Sequence, residues 1–565
     1  MTGDSGTDRA DPAEAADAQS EIVRALADPA FHPGRPASVE HLQTHISHVF
    51  LAGPYVYKLK KPVHFPFLDA RTPKRRRALC EDECRLNRRL AAPVYLDVLP
   101  ITREVDGRLA FDGNGPAVEH IVWMRRLPVE RMLDRLVEDG AANADALGRL
   151  AALLAEFHAA APSGATVAAH ASPAALHGIW ADVLALAAPL VGGALSPAIH
   201  RILADFGPSF IDGHASLLAG RLETRRIREG HGDLRAEHVC ILDRPLPPTQ
   251  HHGPLAPGSY VIDCVEFSHA LRCADVASDV AFLAMDLERL SRPDLAAAFV
   301  DAYVASSGDH ELRRLLAFYC AYRACVRGAV EGLRAAESEV EARDRGRARA
   351  LASRYFTLAL RHAWRSRPPF VIACGGLSGS GKTTLAAALA DATGFVHVST
   401  DLVRRRDTPG TGPAAYGVER YTPAARAAVY ARLCEEAGAA LAAGEGVVAD
   451  ATFIRRADRD LLAMTAAAHG RPLLFLECDA APEVIRQRLD ARQGGPSDAR
   501  WDTYLQQRAE RERLGPDEPH RTIDTGGEPG DALETVQPSV WDWSAAADDP
   551  ARPRPTSPDS HSRSE

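Results

Sequence analysis

The run Gly376-Leu377-Ser378-Gly379-Ser380-Gly381-Lys382-Thr383-Thr384 has the residue types and spacing that hold a nucleoside triphosphate. Glycines at 376, 379 and 381 let the backbone turn so that successive N–H groups point at one phosphate. Lys382 can reach the β- and γ-phosphates, and the Thr383 hydroxyl can sit on Mg²⁺. The apolar run Phe370–Gly375 precedes this loop and the helix-forming Leu385–Ala390 follows it, which is the strand–turn–helix context a Walker A loop requires. The positive end of that helix adds to the pull on an anion. ATP with Mg²⁺ is the expected occupant.

Carboxylates stand where other apolar runs end. Asp401 follows Phe395-Val-His-Val-Ser-Thr400, and Asp450 closes Gly446-Val-Val-Ala449. Asp233 lies in His231-Gly-Asp-Leu-Arg-Ala-Glu-His-Val-Cys-Ile241, and Asp263 in Tyr260-Val-Ile-Asp-Cys-Val-Glu-Phe267. Phosphoryl transfer needs cations on the phosphates, a carboxylate-held metal and a positioned acceptor. Two carboxylates about thirty residues apart on adjacent loop–strand units can face one such site. Loop or helix capping is the alternative for each, and Asp401 could N-cap Leu402-Val-Arg404.

The elements that must position these residues read in two halves. Thr44–Gly53 and Tyr55–Lys60 form a hairpin around Gly53-Pro54, followed by a helix over Arg75–Leu90. Strand-like pieces follow at Tyr95–Ile101, Arg108–Phe111 and Glu119–Met124, giving a small α+β lobe. Helices are expected over Asp145–Ala219 and Asp275–Trp364, with His158 and His177 on helix faces. Beyond them, strand and helix alternate and the strands are apolar, which predicts a parallel sheet covered on both faces. Ligands would then sit at the carboxyl ends of those strands, where the glycine-rich loop, Asp401 and Asp450 fall.

The 565-residue length exceeds one core and implies two to four domains. The expected division is a disordered tail over 1–19, a first domain over 20–364 (lobes about 20–127 and 128–364), a linker at 365–369, a second domain over 370–530 and a tail over 531–565. The paired prolines Pro368-Pro369 mark the linker because they cannot continue a helix. A net charge of −9 offers no bulk attraction for nucleic acid or an anionic membrane. No run approaches the roughly 18 apolar residues of a membrane span. The acidic N-terminus lacks a secretory pattern, and the scattered cysteines make no paired zinc knuckle, so a cytoplasmic location with reduced thiols is expected.

Around His231–Phe267 the first half resembles the aminoglycoside phosphotransferase and choline-kinase-like families, which share the protein-kinase-like fold. The resemblance implies Asp233 as the catalytic aspartate and Asp263 as the Mg²⁺ ligand on ATP. It implies Lys58 as the phosphate lysine, Glu83 as its helix partner and Met124–Leu127 as the hinge near adenine. Lys60 or Lys61 could replace Lys58, and Glu81 could replace Glu83. The second metal ligand, usually Asn, is His238 here. Imidazole suits Mg²⁺ less well than an amide oxygen, so this half could be a feeble kinase or a nucleotide-binding pseudokinase.

The second half resembles the P-loop small-molecule kinases: gluconate kinase, adenylylsulfate kinase, zeta toxin and polynucleotide kinase relatives. That resemblance implies that Asp401 contacts an acceptor hydroxyl and orients or deprotonates it, that Arg404 helps hold the substrate, and that Asp450 supports Mg²⁺ or its waters or else contacts substrate. Arg488 and Arg492 match lid arginines that meet the γ-phosphate. Arg455, Arg456 and Arg459 could grip an anionic substrate or lie on a solvated face. Together the halves resemble bacterial fusions of a phosphotransferase-like domain with an AAA family P-loop kinase domain. The implied function is phosphoryl transfer from ATP to a hydroxyl-bearing small molecule, with neither nucleic acid nor membrane as partner. A regulatory nucleotide-binding protein with slow ATP hydrolysis is the alternative.

Overall fold

The computed structural model describes residues 12–65, 68–337, 341–407, 422–491 and 500–548. It divides into two compact units, Met1–Ile179 with Ile211–Arg323, and Trp180–Phe210 with Ala324–Glu565.

In the first unit a six-stranded antiparallel sheet runs in the order Val39–Gln43, Ser47–Ala52, Tyr55–Lys60, Ala117–Arg125, Tyr95–Arg103, Leu109–Phe111. Alternation puts Tyr55, Tyr57 and Leu59 in a core with Phe50, Ile101 and Ile121. Gly53 makes the hairpin turn with φ +58°. Helix Pro73–Ala91 starts at Thr72, whose side chain accepts the Arg75 N–H, and buries Cys80, Glu83, Cys84 and Asn87. Farther along come the buried helix Val276–Arg289 and the antiparallel pair Val239–Leu242 with Gly258–Val261. This is the α+β architecture expected of the first half. Helix Pro12–Ala27 buries Ile22 and Leu26 against the sheet, so much of the expected N-terminal tail is part of the fold. The disorder expected for 1–11 lies outside the described residues.

The second unit is an α/β domain on a five-stranded parallel sheet, ordered Val396–Ser399, Val447–Asp450, Val371–Gly375, Leu473–Asp479, His520–Asp524. Val371, Ala373, Val447 and Ala449 pack with Tyr430, Leu433 and Ala437 of helix Pro423–Ala442 and Leu462 of helix Arg456–Ala468. Continuous burial of the central strands is what a sheet covered on both faces requires.

Three expectations need correction here. The prolines do stop helix Ala342–Arg365, but residues 365–369 do not separate the compact units. Trp364 before the prolines and Phe370 after them lie in one aromatic cluster with Phe395, Trp541 and Trp543, and the Arg367 guanidinium sits 4.1 Å from the Trp541 ring centre. The expected tail from 531 is instead largely helix Pro529–Asp548, which buries Val536, Val540 and Trp541; only its part over 549–565 lies outside the described residues. Lastly, Pro173–Leu190 is long and apolar enough, by length and composition alone, to cross a membrane, because its alanines and leucines give a mean hydropathy of 1.3.

Candidate active sites

Strand Val371–Gly375 delivers the chain into the glycine-rich loop. At Gly376, φ is +144° and a Cβ would come within 2.5 Å of the Cys478 carbonyl oxygen, so a side chain does not fit. Gly379 and Gly381 have φ of +85° and +86°, and Gly381 is the N-cap of helix Lys382–Thr393. Leu377, Ser378 and Ser380 are buried; Lys382 and Thr383 are half-buried and Thr384 is exposed. This is a cradle of amides at a helix N-terminus.

Asp450 ends the neighbouring strand and is 2% exposed. Ser399 Oγ donates to its Oδ2 at 3.2 Å. Its Oδ1 is buried with no hydrogen-bond partner among the described residues. Burial raises the Asp450 carboxyl above its ordinary range, against the pull of Lys382 and the Thr383 hydroxyl. An unsatisfied buried carboxylate oxygen beside a threonine hydroxyl fits a hard cation such as Mg²⁺.

Asp401 lies inside helix Thr400–Asp407 rather than capping it. Its N–H donates to Ser399 Oγ at 3.3 Å, and its Oδ1 accepts from Arg404 Nη1 at 2.8 Å. Asp401, Ser399 and Asp450 therefore share one hydrogen-bond chain at the carboxyl edge of the sheet. Arg488, on helix Pro482–Asp490, donates from Nη2 to Thr525 O at 2.7 Å. Its Nη1 is buried, has no hydrogen-bond partner among the described residues and lies 3.4 Å from where a Gly381 Cβ would stand. Arg492 lies outside the described residues. The arginines at 455, 456 and 459 are tied to Glu510, Asp517 and Glu518, and Arg459 is fully buried where it also holds the Phe453 carbonyl.

Two contacts were not foreseen. Gln507 Oε1, on helix Trp501–Glu510, accepts the Ser378 N–H at 2.9 Å, and Thr525 Oγ1 donates to the Ser380 carbonyl. Neither residue belongs to a motif, and both reach the loop across more than a hundred residues of sequence.

In the first unit Lys58 Nζ lies 2.6 Å from Glu83 Oε1 and 2.7 Å from Asp263 Oδ1. Lys60 Nζ takes the other Glu83 oxygen at 2.6 Å and pairs with Glu266. Burial opposes both charges, yet the carboxylates outweigh it and hold the two ammonium groups firmly protonated. Lys61 instead donates to Gln43, and Glu81 pairs with exposed Arg77, so Glu83 is the buried carboxylate and both Lys58 and Lys60 pair with it. Asp263 has φ +64°, and its N–H donates to the Tyr95 hydroxyl at 3.2 Å. Burial raises its carboxyl, but Lys58 and His238 bring it well below the ordinary range.

The His231-Gly232-Asp233 loop is fastened from below by Asp279, whose two oxygens accept the His231 and Gly232 N–H groups at 2.7 and 2.9 Å. His158 contacts Asp279 at 3.2 Å and the Tyr303 hydroxyl at 2.8 Å. Asp233 receives Arg235 Nε at 3.0 Å and Nη2 at 3.1 Å. His238 Nδ1 faces the Asp233 carbonyl at 2.9 Å, which requires the proton on Nδ1, and its Nε2 accepts from Arg235 Nη2 at 3.1 Å and lies 3.6 Å from Asp263 Oδ2. Burial and Arg235 keep this imidazole neutral. Asp263 and His238 could share a divalent cation, with Asp233 beside it, once Arg235 releases the His238 Nε2.

The model of the AAA domain family matches residues 371–514. Over 465 residues the chain is 34% identical to the Mycobacterium tuberculosis protein called Uncharacterized protein Rv2004c, covering 81% of this chain and 87% of that one. The chain belongs to the same family as that Mycobacterium tuberculosis protein. A counterpart in Mycobacterium bovis matches equally. Among solved structures, a sugar kinase from Janibacter sp. is 28% identical over 31% of this chain and 98% of its own, with a TM-score of 0.26. The GDP complex of an aminoglycoside 2′-phosphotransferase-IIIa is 17% identical over 60% and 98%, with a TM-score of 0.36. The family member described here joins an α+β unit to an α/β unit that carries the AAA domain match and its glycine-rich loop.

Proposed function

We propose that the P-loop unit is a small-molecule kinase that moves the γ-phosphoryl of ATP to a hydroxyl. The observation that carries this reading is the placement of Asp401: its backbone N–H is held by Ser399 Oγ, which also donates to Asp450, and its carboxylate is held by Arg404 at 2.8 Å. A triphosphate-binding switch has no need of a carboxylate at 401. The loop amides and Lys382 would bind the triphosphate, and Arg488 Nη1 would meet charge that develops on the γ-phosphoryl, a role Arg492 would share. Thr383 and Asp450 would hold Mg²⁺, which supplies charge neutralisation on the phosphate oxygens. Asp401 would take the hydroxyl proton as the acceptor oxygen bonds to γ-phosphorus and the bond to the bridging oxygen breaks, releasing ADP. Arg404, which donates to Asp401 Oδ1 at 2.8 Å, would orient that carboxylate and offer a donor to the acceptor. Free thiols at all ten cysteines support a reducing, cytoplasmic setting.

For the first unit the favoured reading is a second ATP–Mg²⁺ site on Lys58, Glu83, Asp263 and His238, with Asp233 as base. Arg235 on Asp233 and imidazole at 238 favour nucleotide binding with slow transfer there.

ATP consumption by wild type, Lys382→Ala and Asp233→Ala across sugars, aminoglycosides and nucleosides tests both. Acceptor-stimulated turnover lost in Lys382→Ala supports the kinase. Acceptor-independent hydrolysis lost only in Lys382→Ala would favour a regulatory nucleotide switch.

A further inference from the structure

Three soft or borderline donors converge in the first unit, away from Asp233 and Asp263. They are His170, on the turn Ala169–Ala171, His269, at the start of helix His269–Arg272, and Cys273, at the start of strand Cys273–Asp275. Their ligand atoms all lie within 4.8 Å of one another. Cys273 Sγ is 3.4 Å from His269 Nε2 and 3.6 Å from Nδ1. A thiolate and an imidazole bound to one tetrahedral zinc are about 3.5 Å apart, from bond lengths near 2.3 and 2.0 Å. The His170 and His269 ring centres stand 5.8 Å apart, close to the roughly 5 Å of two imidazoles on one such ion.

A fourth oxygen is at hand. Glu229 Oε2 lies 4.0 Å from His269 Nε2, while Arg272 engages the other oxygen, Oε1, at 3.0 and 3.1 Å. Burial of Cys273, His170 half-buried and His269 at the surface give a closed sulfur end and an open entry.

We propose that His170, His269 and Cys273, with Glu229 or water as fourth ligand, form a Zn²⁺ site. Sulfur and nitrogen donors select zinc over the Mg²⁺ or Ca²⁺ that carboxylate sites take. On binding, the Cys273 thiol loses its proton to solvent and its sulfur becomes a metal ligand. Without metal, burial and Glu229 hold that thiol up at about 11, so binding weakens as pH falls. The ion would pin the 169–171 turn to strand Cys273–Asp275, which pairs with Ile227–Glu229 directly before the His231 loop. It is a positioning site for that loop rather than part of its phosphate chemistry.

The test is titration of the full-length, chelator-treated, reduced chain with Co²⁺, followed by absorbance. A thiolate-to-cobalt charge-transfer band together with tetrahedral visible bands, displaced by stoichiometric Zn²⁺, is expected. Cys273→Ser should abolish the charge-transfer band, His170→Ala should weaken binding, and His177→Ala should change neither. Absence of the band in wild type, or its survival in Cys273→Ser, overturns the site. Should Cys273→Ser fail to fold, His170→Ala decides on its own, and unaltered Zn²⁺ affinity in that variant overturns the site equally. Hydrogen exchange adds a second reading: Zn²⁺ should increase protection of Ile227–Glu229 in wild type and leave it unchanged in His170→Ala.

Discussion

Lys58 and Lys60 grip opposite oxygens of the Glu83 carboxylate, each at 2.6 Å. Two residues apart on one strand, they emerge on the same face, and the wholly buried Glu83 is the point they share. Replacing Glu83 by Gln leaves two buried ammonium groups short of a counter-charge. Loss of about 3–5 kcal/mol from the first unit is expected in urea unfolding. Glu81→Gln, on an exposed pair, should stay within about 0.5 kcal/mol.

Asp401 separates a kinase from a switch. Asp401→Asn should lower acceptor-dependent transfer by about 10²–10⁴-fold while sparing ATP binding, measured by coupled assay and nucleotide titration. Equal transfer in the variant would remove Asp401 from the proton's path.

Gln507 occupies a loop amide that a bound phosphate would also approach. Gln507→Glu places an anion there and is expected to weaken ATP binding about tenfold, or about 1.4 kcal/mol. Calorimetric titration reads it directly, and tighter binding would contradict the placement.

The stability of the first unit should depend on pH between about 6.5 and 4. Burial pushes the His231 imidazole down to about 4 in the fold, while the unfolded chain titrates near 6.5. Above 6.5 both states are neutral and His231 contributes no pH dependence. As pH falls toward 4 only the unfolded chain takes up the proton, so stability drops, by about 3 kcal/mol for this one group. Asp263 and Asp279, held well below the ordinary carboxylate range, lose their contribution at lower pH still. Urea midpoints across this range should fall, and His231→Gln should flatten the fall.

The sequence carried the chemistry better than the boundaries. Gly376–Thr383 and His231–Asp233 were legible because turn glycines and phosphate-binding residue types are local. Choosing Lys58 over Lys60 was not, since period two puts both on one face and only the fold reveals that they share Glu83. Gln507 and Thr525 reach the loop by long-range packing, which leaves no spacing to read. His158 looked like a helix-face residue; it proves to be a buried partner of Asp279. At the C-terminus the Pro- and Asp-rich composition concealed Val536, Val540 and Trp541, whose helical spacing did signal a buried stripe.

Trp541 also has a consequence in time. Its indole N–H donates to Asp205, 336 residues earlier in the chain, and its ring meets Phe206 edge-on. On a ribosome adding about 5–20 residues per second, the segment around Phe206 emerges roughly 20–70 s before this partner. During that interval its aromatic face is open to chaperones or to other nascent chains.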